Sequence, residues 1–267
     1  MDQRWKNASQ SGDIDFLYRL IMEDGELLDH ITSVPFVDTP LHIAASEGHV
    51  QFAMEIMRLQ PSFARKLNRD GLSPMHLALQ SGKTGMVTRL LEADKNLVRV
   101  QGREGVTPLH YAAKEGNMKL LYEFPSACPE SLEDVTIRNE TPLHIALKND
   151  KIEAFEVLLR WLTHVCYDEV HQREKKVLNW KDDDGNSLLH IATLRNQPEV
   201  IVLLLNSQVD VNSKNLAGWT PLDIIQHEQP ISDGGIGAML CGAGALEGSS
   251  LLSVQTFTYY MRLRNSF

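Results

Sequence analysis

Five histidines, His42, His76, His110, His144 and His190, recur along the chain at intervals of 34, 34, 34 and 46 residues. Imidazoles are the commonest metal ligands, so metal binding is the first chemistry they raise. A zinc site needs four donors converging on one tetrahedral point. Residues one repeat apart instead stand at roughly equal steps along a stack. The spacing therefore implies a structural histidine at one helix start in each unit, and no metal is expected. Asp182-Asp183-Asp184-Gly185-Asn186 looks like part of a calcium loop. With Gly185 at the sixth position, the first and twelfth would be Trp180 and Ile191, and neither is a carboxylate. The glycines from Gly234 to Gly248 raise phosphate binding. Gly242 and Gly244 open a G-x-G, but Gly248 falls one residue late and no Gly-Lys-Ser/Thr follows. Serines and histidines coincide only inside the repeated segment, as in Ser73 to His76, so no nucleophile–base pair forms. No catalytic residue, cofactor or enzymatic activity is expected.

Each histidine closes a tetrapeptide: Thr39-Pro40-Leu41-His42, Ser73-Pro74-Met75-His76, Thr107-Pro108-Leu109-His110, Thr141-Pro142-Leu143-His144 and Ser187-Leu188-Leu189-His190. A sixth copy, Thr220-Pro221-Leu222-Asp223, follows after 33 residues and carries aspartate instead. The Thr or Ser is a helix N-cap, because its hydroxyl accepts from an orphan backbone N–H. Proline at the first helical position loses nothing by lacking its own N–H. Leu41, Ala44 and Ala45 then follow at helical spacing, and the small alanines admit a close neighbouring helix. Gly48, Gly82 and Gly116 fall nine residues after the cap, where a left-handed residue ends the helix. Asp150 and Asn196 hold that column in the next two units, and Asn and Asp tolerate the left-handed region best after glycine. A second helix is expected from about Val50 to Leu59, with Pro61 preventing its simple continuation. Gly71, Gly105, Asn139, Gly185 and Gly218 form a tight-turn column two residues before each cap.

A tetrapeptide of this kind at a period near 33 resembles the ankyrin repeat. The resemblance covers roughly residues 1–226. It implies an all-α solenoid of about six to seven helix–loop–helix repeats with β-turn loops. Short first helices would line a concave face and longer second helices a convex one. Residues 1–30 read as a degenerate N-terminal capping repeat, with Ala8 and Gly12 matching Ala44 and Gly48. Residues 31–226 hold the repeats. Residues 227–267 read as a Gly-rich linker and tail, from which Leu240, Leu246, Leu251 and Leu252 supply a partial C-terminal cap if the array needs one. On composition alone, ending the chain near Gln226 should leave its melting behaviour unchanged. The final Leu251–Phe267 stretch fits either an amphipathic surface helix or a disordered end.

The fourth interval is longer than the third by twelve residues, and the excess lies between Lys151 and Asn179. Ile152, Phe155, Leu158, Leu159, Leu162, Val165, Cys166 and Val170 keep a helical stripe. One helix lengthened by up to three turns, roughly 18 Å, is expected, with the insertion near 163–178. It reads either as a tolerated convex-side insertion or as a docking protrusion.

A formal charge of −9 disfavours binding to a phosphate backbone. Three scattered cysteines, Cys128, Cys166 and Cys241, fit a reducing compartment. There is no secretory leader and no run of 18 apolar residues, so the chain as given is expected to be cytoplasmic. An unidentified protein partner is then expected on the concave face and loop tips, with no nucleic acid. Residues assigned to that surface are Arg69, Asp70, Arg103, Glu104, Lys114, Arg138, Glu140, Lys148, Asp182, Asp183 and Asp184. Their charge changes sign from unit to unit, which argues against a DNA groove.

Pro35 to Ala45, Phe52 to Met57, Pro61 to Asn68 and Gly102 to Gly105 resemble a narrower group. This is the plant Bian-da-like immune regulators, related to the accelerated-cell-death ankyrin proteins. The resemblance implies signalling in defence and cell death. It also implies a C-terminal domain of several membrane-spanning helices, which this sequence lacks. A plasma-membrane location is expected if the full-length protein carries that domain.

Overall fold

The computed structural model describes residues 3–164, 170–228 and 235–251. All regular structure among them is helical. The chain divides into two compact units, Met1–Ile137 and Arg138–Phe267.

The first unit contains α1 (Gln3–Ser11), α2 (Ile14–Glu23), α3 (Leu27–Ser33), α4 (Pro40–Glu47), α5 (Val50–Leu59), α6 (Pro74–Gln80), α7 (Thr84–Ala93), α8 (Pro108–Glu115) and α9 (Met118–Ala127). The helices α4, α6 and α8 start as the tetrapeptide dictates. Thr39, Ser73 and Thr107 are extended and cap His42, His76 and His110 N–H groups. The chain then turns at Gly48, Gly82 and Gly116, with φ of 88°, 65° and 72°. Successive first helices stack, α4 on α6 and α6 on α8, which buries Leu41, Ala44, Met75, Ala78, Leu109 and Ala112. After α5, α7 and α9 the chain makes one 3₁₀ turn, at Pro61–Arg65, Lys95–Arg99 and Pro129–Glu133. These turns drive Phe63, Leu97 and Leu132 inward. Each such side chain contributes on the order of 1.5–3 kcal/mol when fully buried. At the N-terminal end α1 packs on α4 and pairs with α2, burying Trp5, Ala8 and Leu17.

The second unit contains α10 (Pro142–Lys148), α11 (Ile152–His164), α12 (Val170–Leu178), α13 (Leu188–Leu194), α14 (Pro198–Leu205), α15 (Pro221–Glu228) and α16 (Ile236–Gly242). Two expectations change here. The long fourth-repeat segment is not one extended helix. The described part of α11 ends at His164, and α12 turns back against it. Glu174 on α12 lines the same cavity as Leu159, Arg160 and Thr163 on α11. The cause is burial on α12 itself: Val177 and Leu178 are fully buried, which a helix projecting into solvent cannot achieve. Val165 and Cys166 lie outside the described residues.

The Gly-rich segment is also more than a linker. Its residues 236–242 form α16, which packs on α14 and α15 and buries Ile236 and Leu240. Ala245 is buried as well, Leu246 is exposed and Leu251 is half-buried. Leu252 and the expected terminal helix or disordered end lie outside the described residues. The glycines sit at the edges of α16: Gly235 and Gly244 have φ of 88° and 85° and bound the helix from either side.

Glycines with positive φ differ in what surrounds them. A Cβ at Gly185 (φ 75°) would stand 2.7 Å from the backbone nitrogen of Leu216, whereas one at Gly82 (φ 65°) meets nothing within 4 Å. Gly82→Ala should therefore cost only backbone strain, on the order of 1 kcal/mol. Gly185→Ala adds a clash with backbone that cannot move aside, and should cost on the order of 3 kcal/mol in total. Parallel denaturant titrations check this ranking, and equal losses would reject it.

Candidate protein-interaction surface

The repeated histidines are consumed by the framework. In His42 the Nδ1 atom accepts from the Thr39 N–H at 3.1 Å, so Nε2 carries the proton and donates to the Leu72 carbonyl at 3.0 Å. His76 spans Ser73 and the Val106 carbonyl in the same way, and His190 spans Ser187 and the Trp219 carbonyl. One ring thus fastens the start of its own helix to the loop of the following repeat. Both nitrogens are engaged, which leaves these three rings no lone pair for a metal. Burial holds the imidazoles of His42, His76 and His144 at about 4, against an ordinary 6.5, and lowers His190 as well. His144 departs from the pattern: its Nε2 has no hydrogen-bond partner among the described residues, and it sits in the repeat that carries the insertion. Among the described residues no group of three or more His, Cys, Asp or Glu side chains is placed to hold a metal ion.

The sixth copy solves the same problem with opposite polarity. Asp223 accepts from the Thr220 N–H at 2.8 Å and from the Gly248 N–H at 3.0 Å. A histidine donates to the next segment's carbonyl, whereas the aspartate accepts from its amide.

The loops that precede each cap form fingers tied by backbone bonds. In the first unit Arg103 N–H donates to the Gly71 carbonyl at 2.7 Å and Ile137 N–H to that of Glu104 at 2.9 Å. In the second unit Asp183 N–H donates to Arg138 and Leu216 N–H to Asp184, both at 3.0 Å. Side chains brace the turns from beneath. Asn68 accepts from the N–H groups of Asp70 and Leu72, and Asp182 from those of Asp184 and Asn186. The tips are thus presented on a fixed backbone.

The eleven assigned residues separate into two sets. Arg69, Asp70, Arg103, Glu104 and Lys114 are exposed in the first unit, and Arg138, Asp183 and Asp184 in the second. Glu140, Lys148 and Asp182 are brought together inside the second unit. Lys148 Nζ lies 2.7 Å from Glu140 Oε1 and 2.8 Å from Asp182 Oδ2. Glu140 is 8% exposed and Asp182 6%, so neither carboxylate is offered to a partner. The two carboxylates raise the Lys148 ammonium against the opposing pull of its own burial. The apparent calcium loop is thereby accounted for, since the Asp182 carboxylate is committed to a turn and an ion pair.

Two apolar tips escape a reading based on charge. Ile137 is 68% exposed and Leu216 79%, each one repeat position equivalent to Arg69 and Arg103. The signal was available: a branched aliphatic side chain in a column otherwise held by charged residues or proline.

Helix pairs fastened by a capping histidine, with laddered finger loops, define a repeat scaffold of the ankyrin kind. The chain belongs to the ankyrin-repeat family: a model of ankyrin repeats in three copies matches residues 6–100 and 85–166, and one of many copies matches 176–225. It is 53% identical over 264 residues to the ankyrin repeat-containing protein BDA1 of Arabidopsis thaliana. That match takes in 98% of this chain and 61% of the relative, so the chain spans about three-fifths of that protein's length. The fold is also that of the ankyrin repeat domain of Bcl-3, described as a unique member of the IkappaB protein family. The TM-score is 0.62 at 22% identity, over 83% of this chain and 92% of that one. Among the described residues no helix is long and apolar enough to cross a membrane.

Proposed function

We propose that this chain is a non-enzymatic adaptor in plant defence or cell-death signalling, and that it binds a protein partner through its exposed finger tips. The observation that carries the binding half is the ladder. Tips built on hydrogen-bonded backbone display Arg69, Asp70, Arg103 and Glu104 in one unit and Arg138, Asp183 and Asp184 in the other without an ordering cost on association. The similarity to BDA1 and the resemblance to the Bian-da-like group support the signalling half.

Reversing the tips tests the binding reading. The double variants Arg69→Glu/Arg103→Glu and Asp183→Lys/Asp184→Lys should melt like the parent, because exposed substitutions usually stay within about 0.5 kcal/mol. At least one should lose cross-linked partners on the order of tenfold in plant extract. Capture unchanged in both variants would overturn the assignment of the tips.

A second reading rests on the resemblance to the Bian-da-like group: we infer that the chain is the soluble half of a membrane-linked channel- or receptor-type regulator, while the coverage of the relative shows only that the relative is a longer protein. An antibody raised against the array decides this by fractionation. An integral-membrane species larger than this chain supports it, and a single extractable species of this chain's own mass overturns it.

A further inference from the structure

Three successive gaps between neighbouring repeats of the first unit can be compared directly. Each lies beside the left-handed glycine that follows a first helix, Gly12, Gly48 and Gly82. Facing each is the residue just after the corresponding glycine of the next repeat: His49, Lys83 and Asn117. A Cβ on Gly12 would come within 2.7 Å of the His49 ring, and one on Gly48 within 3.0 Å of Lys83 Cδ. Beside Gly82 there is nothing within 4 Å. His49 and Lys83 fill their gaps. Asn117 instead turns to its own helix, and its Oδ1 accepts from the Leu120 N–H at 3.3 Å.

The third gap is consequently a cavity of about 270 Å³. Leu79, Val87 and Leu120 give it an apolar floor, and Gln80, Tyr111 and Glu115 a polar rim. Glu115 is exposed and has no cationic partner among the described residues. Its charge lies near the Tyr111 hydroxyl, which burial first and Glu115 second raise above the ordinary tyrosine range. An aliphatic stem with an ammonium head matches this lining, because lysine buries its methylenes while keeping the charge at the water's edge. The neighbouring gap shows the fit within this same chain, where the Cγ, Cδ and Cε atoms of Lys83 lie against Gly48.

We propose that the gap between Gly82 and Asn117 is a receptor for a lysine side chain projecting from a protein partner. Asn117 leaves open what Lys83 closes one repeat earlier, and Glu115 supplies the counter-charge. The proposal rests on the reading that the array binds proteins, and it names a subsite and its chemistry.

The full chain, labelled with ¹⁵N, is titrated with the peptide acetyl-Gly-Gly-Lys-Gly-Gly-amide and with its norleucine counterpart. Saturable shifts at the Gly82 and Tyr111 amides are expected with the lysine peptide, and binding weaker by roughly fivefold or more with norleucine. Asn117→Lys rebuilds the filled gap and should abolish the shifts. Lys83 already occupies the equivalent N-cap of α7 without a side-chain cap bond, so lysine is tolerated there. Glu115→Gln lies at an exposed position and should weaken the lysine peptide by roughly fivefold while leaving melting unchanged. Equal binding of the two peptides, no saturable shift with either, or lysine-peptide binding untouched by both variants would each overturn the proposal. Should the tip variants still lose partners in that event, the interaction reading stands and only this subsite is removed.

Discussion

Lowering the pH from about 7 to about 4.5 is expected to destabilise the protein steeply. The loss should begin near 6.5, well above the range in which carboxylates protonate. Burial holds His42, His76 and His144 at about 4 in the folded chain, and their ordinary value is 6.5. Between those values the unfolded chain binds more protons than the folded one, so stability falls as pH falls. Their contribution is fully present above 6.5 and lost by about 4. One pKa unit is about 1.4 kcal/mol, so each of the three contributes on the order of 3 kcal/mol. His190 is shifted in the same direction. Together they rival the ~5–15 kcal/mol that holds a typical domain folded. Asp134 works the other way, because burial raises its carboxyl despite the Arg99 guanidinium 2.6 Å away, but it is one group against four. Melting temperatures taken at half-unit pH steps check this. A curve flat between pH 6.5 and 5, or the His42, His76 and His144 resonances titrating near 6.5, would show that these rings are not the buried neutral clasps described. His76→Gln keeps an acceptor and a donor and should remove one proton's worth of slope from the window.

The histidines also show what the sequence could and could not disclose. Their spacing argues against a shared metal point, and the cap assignment follows from Thr or Ser and Pro alone. The second contact, Nε2 to a carbonyl 30 residues on in His42, belongs to the stack and has no local signal. The left-handed column was legible even where glycine is absent, with Asp150 and Asn196 at φ of 54° and 51°. The interaction surface was less legible, because exposure of a charge depends on what faces it. Glu140, Lys148 and Asp182 look like solvent-facing charges in their columns, yet they close on one another across one repeat step. The course of the fourth-repeat insertion is illegible in the sequence for a similar reason. An apolar stripe fixes which face of a helix is buried, not where the chain breaks and turns back. Tyr111 and Glu115 stayed invisible because their cavity depends on Asn117 being short, which shows only beside the filled gaps of Gly12 and Gly48.

Ending the chain at Gln226 is expected to be severely destabilising. Composition points the other way, since six glycines from Gly234 to Gly248 cost entropy to order. Packing outweighs that cost. Ile236 and Leu240 are 1% and 0% exposed, and burying two such side chains is worth on the order of 3–6 kcal/mol. Truncation also strips partners from the polar groups of the last repeat. Asp223 loses the Gly248 N–H, the Thr220 hydroxyl loses the Leu246 carbonyl, and Lys214 loses the Gly248 carbonyl. Asn212 loses both its acceptor and its donor contacts, to Leu246 N–H and the Gly244 carbonyl. In a repeat array the terminal unit has no further neighbour to cover its apolar face, so it depends on whatever caps it. The expected result is early melting of the second unit, with exposed Leu204 and Ile225 promoting aggregation. A chain ended at Leu251 keeps every one of these contacts. Leu240→Ala separates packing from chain length and should cost on the order of 2–5 kcal/mol. If the Gln226 truncation and Leu240→Ala both melt within a degree or two of the parent, α16 is ornamental and the array ends at α15.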